Sequence, residues 1–193
     1  MNIWSVERRG KQTSGSSEDP RIPHQHDYDR LLFSPPVRRL ANKTQVFPLE
    51  KNDTVRNRLT HSHEVANLAR SMGDRILLAR PELSSRAAEV RASLSAAGLA
   101  HDLGNPPFVH EGEKAIGAWF EANMEVFEVE SGEGVPESLW AEFLEFEGNA
   151  QTLRVVGKLQ VSAGGFGLDL TAATLAALMK YPTTCDVRNP SAQ

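Results

Sequence analysis

At 193 residues and 40% hydrophobic content, the chain is sized for one domain with a core of its own. A formal net charge of -4 and a pI near 5.9 exclude a globally basic binder of nucleic acid or membrane, so an anionic ligand needs a local basic cluster. A single Cys, Cys185, excludes an internal disulfide and fits a reducing cytosol; no apolar run nears the ~20 residues of a bilayer span, and "MNIWSVERRG" lacks a signal peptide's apolar stretch, so a cytoplasmic protein without membrane contact is expected.

In chain order, residues 10–20 are polar, short of large apolar groups and expected to be mobile. Short helices are expected near Asp27–Phe33 and Val37–Asn42, followed by a loop. From "RLTHSHEVANLARSMGDRILLAR" onward helices dominate. His61, Val65, Leu68 and Met72 recur at offsets 0, 4, 7 and 11, one stripe of a helix. Val90, Leu94, Ala97 and His101 repeat that pattern, with Ser84 or Ser85 as the N-cap. "EGEKAIGAWFEANMEVF" predicts a helix beginning near His110. An acidic connection, Glu128 to Pro136, leads to more helix, where Asn149, Leu153, Val156 and Gln160 share a stripe. "LTAATLAALMKYP" predicts a last apolar helix stopped by Pro182. There is no internal repeat and no evident long strand; the class is all-α.

A His that continues an apolar stripe points inward. Alone, it reads as a core imidazole bonded to a backbone carbonyl. Two such helices, one with Asp102 directly after its His, also fit a mixed nitrogen–oxygen ligand set for a divalent cation. Gly104 is expected to supply an unusual backbone angle, and Asn105-Pro106-Pro107 to turn the chain out of the helix. His110 and Glu113 then share the first turn of the next helix. They read either as an N-terminal capping pair or as a proton-exchanging His held and polarised by Glu113. Arg58, one turn before His61, suits a phosphate beside such a His; Arg38, Arg39 and Lys43 lie upstream, a cluster that taken alone is a solvated surface.

The blocks "RRLANKTQVFPLEKNDTVRNRLTHSHEV", "HDLGNPPFVHEGEKAI", "FEGNAQTLRVVGKLQ" and "LTAATLAALMKYP" closely resemble the deoxyguanosine triphosphate triphosphohydrolases, which belong to the HD-domain metal-dependent phosphohydrolases. The likeness runs from about Asp27 to Pro182. It implies His61, His101 and Asp102 as ligands of a divalent metal such as Mg2+ or Mn2+, and His110 with Glu113 as the catalytic pair. It implies Gln45 as a deoxyribose contact, Arg58 and Asn149 as groups that hold phosphate or lie beside the metal, and Lys180 and Tyr181 as further substrate contacts. The implied fold is an HD-type helical bundle truncated before its C-terminal half. Residues 1–26 would be a partly mobile extension, 27–182 the N-terminal part of the phosphohydrolase domain, and 183–193 a tail.

The implied reaction is hydrolysis of a deoxynucleoside triphosphate, dGTP-like, to the deoxynucleoside and inorganic triphosphate. The family's fourth metal ligand, an Asp, lies downstream of the matched region, and Asp186 in the tail is not promoted to that role; impaired activity is therefore expected. Two other readings stay open: an HD phosphohydrolase with another nucleotide substrate, and a catalytically inactive module binding nucleotide or single-stranded DNA. Full-length relatives are expected to form homo-oligomers. His63 stands where Leu or Met is usual and is expected to be exposed, and His26 replaces a usual Arg.

Overall fold

The computed structural model describes residues 3–10, 19–47, 52, 54–131, 137–160 and 165–180. Among these, all regular structure is helical, apart from one isolated antiparallel bridge between Thr44 and Asn57. Residues 11–18, Tyr181, Pro182, Cys185, Asp186 and the rest of the expected tail lie outside the described residues.

The order is α1 (Pro23–Leu32), α2 (Pro35–Arg39), a 3-10 turn (Leu40–Asn42), α3 (Arg58–Ala79), a 3-10 segment (Pro81–Arg86), α4 (Ala87–Ala100), α5 (His110–Ala122), α6 (Met124–Ser131), α7 (Glu137–Leu144), α8 (Gly148–Arg154) with a π-turn (Val155–Leu159), and α9 (Ala172–Ala177). α1 starts earlier than its apolar pattern suggests. Pro23 suits the first helical position, and the Gln25 side chain accepts from the Ile22 amide at 3.0 Å. The start of α4 differs from expectation as well: Ser84 and Ser85 sit in the 3-10 segment, and Arg86 precedes the helix without a side-chain cap. α9 ends at Ala177, ahead of the proline expected to stop it.

α4 is the central helix. Ala96, Leu99 and Ala100 are fully buried, and the core continues through Leu31, Val37, Leu40, Ala66, Leu103, Val156, Leu170 and Leu178. α3 and α1 pack along α4, and α9 packs against it as well.

The inner face of α3 is not the stripe with the largest apolar side chains. Leu68 and Met72 are 63% and 59% exposed, whereas Arg58, Ser62, Ala66 and Gly73 are buried. Small residues let two helix backbones approach closely. A Cβ at Gly98 of α4 would lie 2.8 Å from the Ala66 Cα and 2.9 Å from the Val65 carbonyl oxygen. His61 is left half-buried at the edge of this contact, and His63 is exposed. The helical stretch expected from Glu137 onward is interrupted: α7 ends at Leu144, and Glu147 opens α8 by accepting from the Ala150 amide at 2.9 Å, so Asn149, Leu153 and Val156 fall in α8 and its π-turn.

Residues 3–10 dock rather than trail. Glu7 and Ser5 carbonyls accept from the Ala172 and Ala173 amides at 2.8 and 3.1 Å, capping the start of α9. The end of α9 thereby lies against α4, close to His101.

His24 on α1 is fully buried, and neither ring nitrogen has a hydrogen-bond partner. Burial holds this imidazole below its ordinary 6.5; Asp27 and Glu89 oppose that shift, while Arg8 and Arg86 reinforce it. The folded state therefore binds fewer protons here than the unfolded state. Stability is fully present above 6.5 and is lost as pH falls below it. In urea titrations, the midpoint of His24→Gln should fall less than that of the parent chain between about pH 7 and about pH 5. Equal slopes would show that His24 does not titrate on unfolding.

Candidate metal and phosphate site

Asp102 and His101 leave the C-terminal end of α4 together. His101 Nδ1 lies 2.7 Å from the Gly98 carbonyl oxygen, so Nδ1–H donates there and Nε2 is free to act as a donor atom toward a ligand. Asp102 is 6% exposed. Its Oδ1 accepts from Asn105 Nδ2 at 2.5 Å, while Oδ2 is buried with no hydrogen-bond partner. The His61 ring on α3 meets the His101 ring edge-on with centroids 5.2 Å apart.

Ligand atoms of His61, His101 and Asp102 all lie within 4.8 Å of one another. Atoms about 2.2 Å from a shared ion can be at most about 4.4 Å apart, so small side-chain movements would close the set on a cation. Two neutral imidazoles and a carboxylate suit a divalent ion, and a buried, unbonded carboxylate oxygen is costly unless something positive meets it.

Arg58 sits in the first turn of α3, 2% exposed. Its Nε donates to the Thr44 carbonyl at 3.1 Å and Nη2 to the Pro106 carbonyl at 3.2 Å, while Nη1 is buried without a partner. Lys43, half-buried, is held below the usual lysine range first by desolvation and then by Arg58 and Arg39, with Asp102 opposing. Gln45 Oε1 is likewise buried and unbonded. Arg38 and Arg39 point outward, as a solvated cluster would.

His110 Nδ1 lies 2.8 Å from Glu113 Oε2, and Glu113 Oε1 accepts from the Gly148 amide at 2.8 Å. Glu113 therefore ties the N-terminus of α5 to that of α8. The His110 side chain is 80% exposed, whereas that of Glu113 is 14% exposed. Gly104 does not adopt the unusual backbone angle expected of it; among the described residues the non-glycine positions with positive φ are Phe108, Val109 and Asp169. Gly104 is needed for space instead, since a Cβ there would overlap the Gly148 carbonyl and the Thr152 amide.

Asn149 and Lys180 line a cavity of about 290 Å³ with His101, Ala97, Thr152 and Leu178. Asn149 Nδ2 also donates to Glu147 Oε1 at 2.5 Å. The structure thus brings together His61, His101 and Asp102, pairs His110 with Glu113, and gathers Asn149 and Lys180 beside His101. Tyr181 lies outside the described residues. Asn105 and Thr152 were not anticipated. Asn105 follows Asp102 by three, the one local hint that it could orient the carboxylate.

Val109 adopts φ 49 and ψ -119, a region populated almost only by glycine and strained for a β-branched side chain. Relief of about 1–3 kcal/mol of strain exceeds the entropy cost of a glycine, roughly 0.5–1 kcal/mol. Val109→Gly should therefore raise stability by about 1 kcal/mol in chemical denaturation. A destabilised variant would mean that packing of the isopropyl group outweighs the strain.

Residues 58–139 match the HD domain family. Among curated proteins the chain is 42% identical over 187 residues to a deoxyguanosinetriphosphate triphosphohydrolase-like protein of Listeria monocytogenes, covering 92% of this chain and 40% of that protein. It is 44% identical over 186 residues to one from Synechocystis, covering 94% and 42%. It is 41% identical over 191 residues to one from Pseudomonas aeruginosa, covering 95% and 42%. The chain spans about two fifths of the length of these relatives.

Proposed function

We propose that this chain, an HD-domain relative of the deoxyguanosinetriphosphate triphosphohydrolase-like proteins, carries part of the active site of a metal-dependent deoxynucleoside triphosphate triphosphohydrolase. The observation that carries the reading is the convergence of His61, His101 and Asp102, with Asp102 Oδ2 buried and unbonded, on the same fold as the His110–Glu113 pair.

In this reading His61, His101 and Asp102 hold a divalent ion, Mg2+, Mn2+ or similar, which when bound lowers the pKa of water and offsets phosphate charge. Water attacks the α-phosphorus of a dGTP-like substrate, and the bond from that phosphorus to the 5′-oxygen breaks. The products are the deoxynucleoside and inorganic triphosphate. Glu113 fixes the His110 tautomer with Nδ1–H donating to its carboxylate, leaving Nε2 to exchange the proton at the reacting phosphate. Arg58 Nη1 and Lys180 offset the negative charge of the polyphosphate. Asn149 takes a phosphate oxygen beside His101, Gln45 receives the deoxyribose, and Tyr181 supplies a further substrate contact.

Turnover by these residues alone is expected to be slow. Three protein ligands leave more positions open on the ion, which loosens its hold on substrate. Exposed Leu68, Met72, Leu78 and Trp119 favour self-association. Homo-oligomerisation, as expected for the longer relatives, and a cytoplasmic location belong to the same proposal. Among the described residues no helix is long and apolar enough to cross a membrane. Binding of single-stranded DNA would have to avoid the stretch from His110 to Asn149, where eleven Glu stand against one Lys.

The test is product analysis by ion exchange after long incubation of concentrated protein with dGTP and Mn2+. Deoxyguanosine and triphosphate should appear in equal amounts. His110→Ala should lower the rate by roughly 100-fold or more at nearly unchanged metal content. Release of orthophosphate or pyrophosphate instead, or loss of metal together with activity, would contradict this assignment.

A further inference from the structure

The N-terminal segment holds α9 by its start, and the end of α9 carries one wall of the cavity beside His101. At the centre of that attachment Asp27 is fully buried. Its Oδ2 accepts from the Thr171 amide at 3.0 Å and from the Thr171 and Thr174 hydroxyls, each at 2.6 Å. Its Oδ1 accepts from Arg8 Nη1 at 2.6 Å. Arg8 also donates to the Asp169 carbonyl and, through Nη2, to the Pro23 carbonyl at 3.0 Å. The Gly10 amide closes the arrangement on Asp169 Oδ1 at 2.9 Å.

This network leads directly to the cavity. The Thr174 carbonyl accepts from the Leu178 amide at 3.2 Å, and Leu178 and Lys180 line the cavity with His101 and Asn149. α9 is only six residues long, so a shift at its N-terminus is not absorbed along its length. Removing Arg8 would leave the buried Asp27 carboxylate without its counter-charge and its Oδ1 without a donor, the costly way to break a buried ion pair. The start of α9 would then have to move or hydrate.

We propose that Arg8 and Asp27 form a positioning pair that sets α9, and through it holds Lys180 at the cavity, for a polyphosphate ligand. The inference rests on the reading of Lys180 as a phosphate contact. Arg8 does not touch the ligand; it acts through Asp27, Thr171 and Thr174.

Calorimetric titration with inorganic triphosphate, alongside separate titration with Mn2+, distinguishes the possibilities. Lys180→Ala and Arg8→Ala should each weaken triphosphate binding by about tenfold, and the double variant should be no weaker than about twofold beyond Lys180→Ala, because both act on one contact. Mn2+ affinity should stay within about twofold of the parent in all of them, since the metal ligands sit on α3 and α4. Thr174→Val, which removes one donor to Asp27, and Arg8→Lys, which keeps the charge but not the three-acceptor geometry, should give smaller losses of the same kind and serve if Arg8→Ala does not fold. Lys180→Ala that binds triphosphate like the parent chain would overturn the phosphate role and the inference together. Lys180→Ala that weakens binding while the Arg8 and Thr174 variants do not would overturn the inference alone. Multiplying losses in the double variant, or joint loss of Mn2+ and triphosphate binding, would reduce Arg8 to a general stabiliser.

Discussion

The close approach of the α3 and α4 backbones sets the site. Ala66 and Val65 lie so near Gly98 that no side chain fits between them. The Gly98 carbonyl, free at the end of α4, takes the His101 Nδ1 proton. One glycine therefore serves twice: its missing side chain sets the distance between the helices that carry His61 and His101, and its carbonyl fixes the tautomer of His101. A wider spacing would separate the two imidazoles and remove the only donor set among the described residues that gathers around a common point.

A second close contact joins the remaining chemistry to this centre. Gly104 allows the start of α8 to lie against the turn after Asp102, and the Gly104 amide donates to Thr152 Oγ1 at 3.0 Å. The Gly148 amide, the first of α8, is bonded by Glu113. Three helix ends thus meet: α4 offers His101 and Asp102, α5 offers His110 and Glu113, and α8 offers Asn149. Orphan amide groups at helix N-termini are met here by the carboxylates of Glu113 and Glu147, so the polar ends are satisfied within the protein while Asp102 Oδ2 and Arg58 Nη1 remain for something else.

Much of this was legible in the sequence. Helix-period patterns gave the all-α class, and four sequence blocks carried the resemblance to the triphosphohydrolases. His61 and His101 were named from their stripe positions, Asp102 from its place directly after His101, and all three from that likeness. The face of α3 was misjudged because large apolar residues were taken as the inward signal, whereas helix contact here selects Ser62, Ala66 and Gly73 for their small size. Gly104 was read as a conformational device when its role is space. Docking of Arg8 onto Asp27 left no local mark, because its partners Thr171 and Thr174 lie far away in sequence. The sequence reading placed the first residues only within a partly mobile extension, 1–26.

The proposed function turns on His61, His101 and Asp102, brought together by the α3–α4 contact, holding a divalent ion. The most direct test is zinc loading of the intact chain followed by X-ray absorption at the metal edge, for the parent and for His61→Ala. The account predicts one tightly held ion per chain with two imidazole nitrogens and a carboxylate oxygen in its shell, and loss of one imidazole with clearly weakened binding in the variant. An ion bound as tightly, with an unchanged shell, after removal of His61 would contradict it.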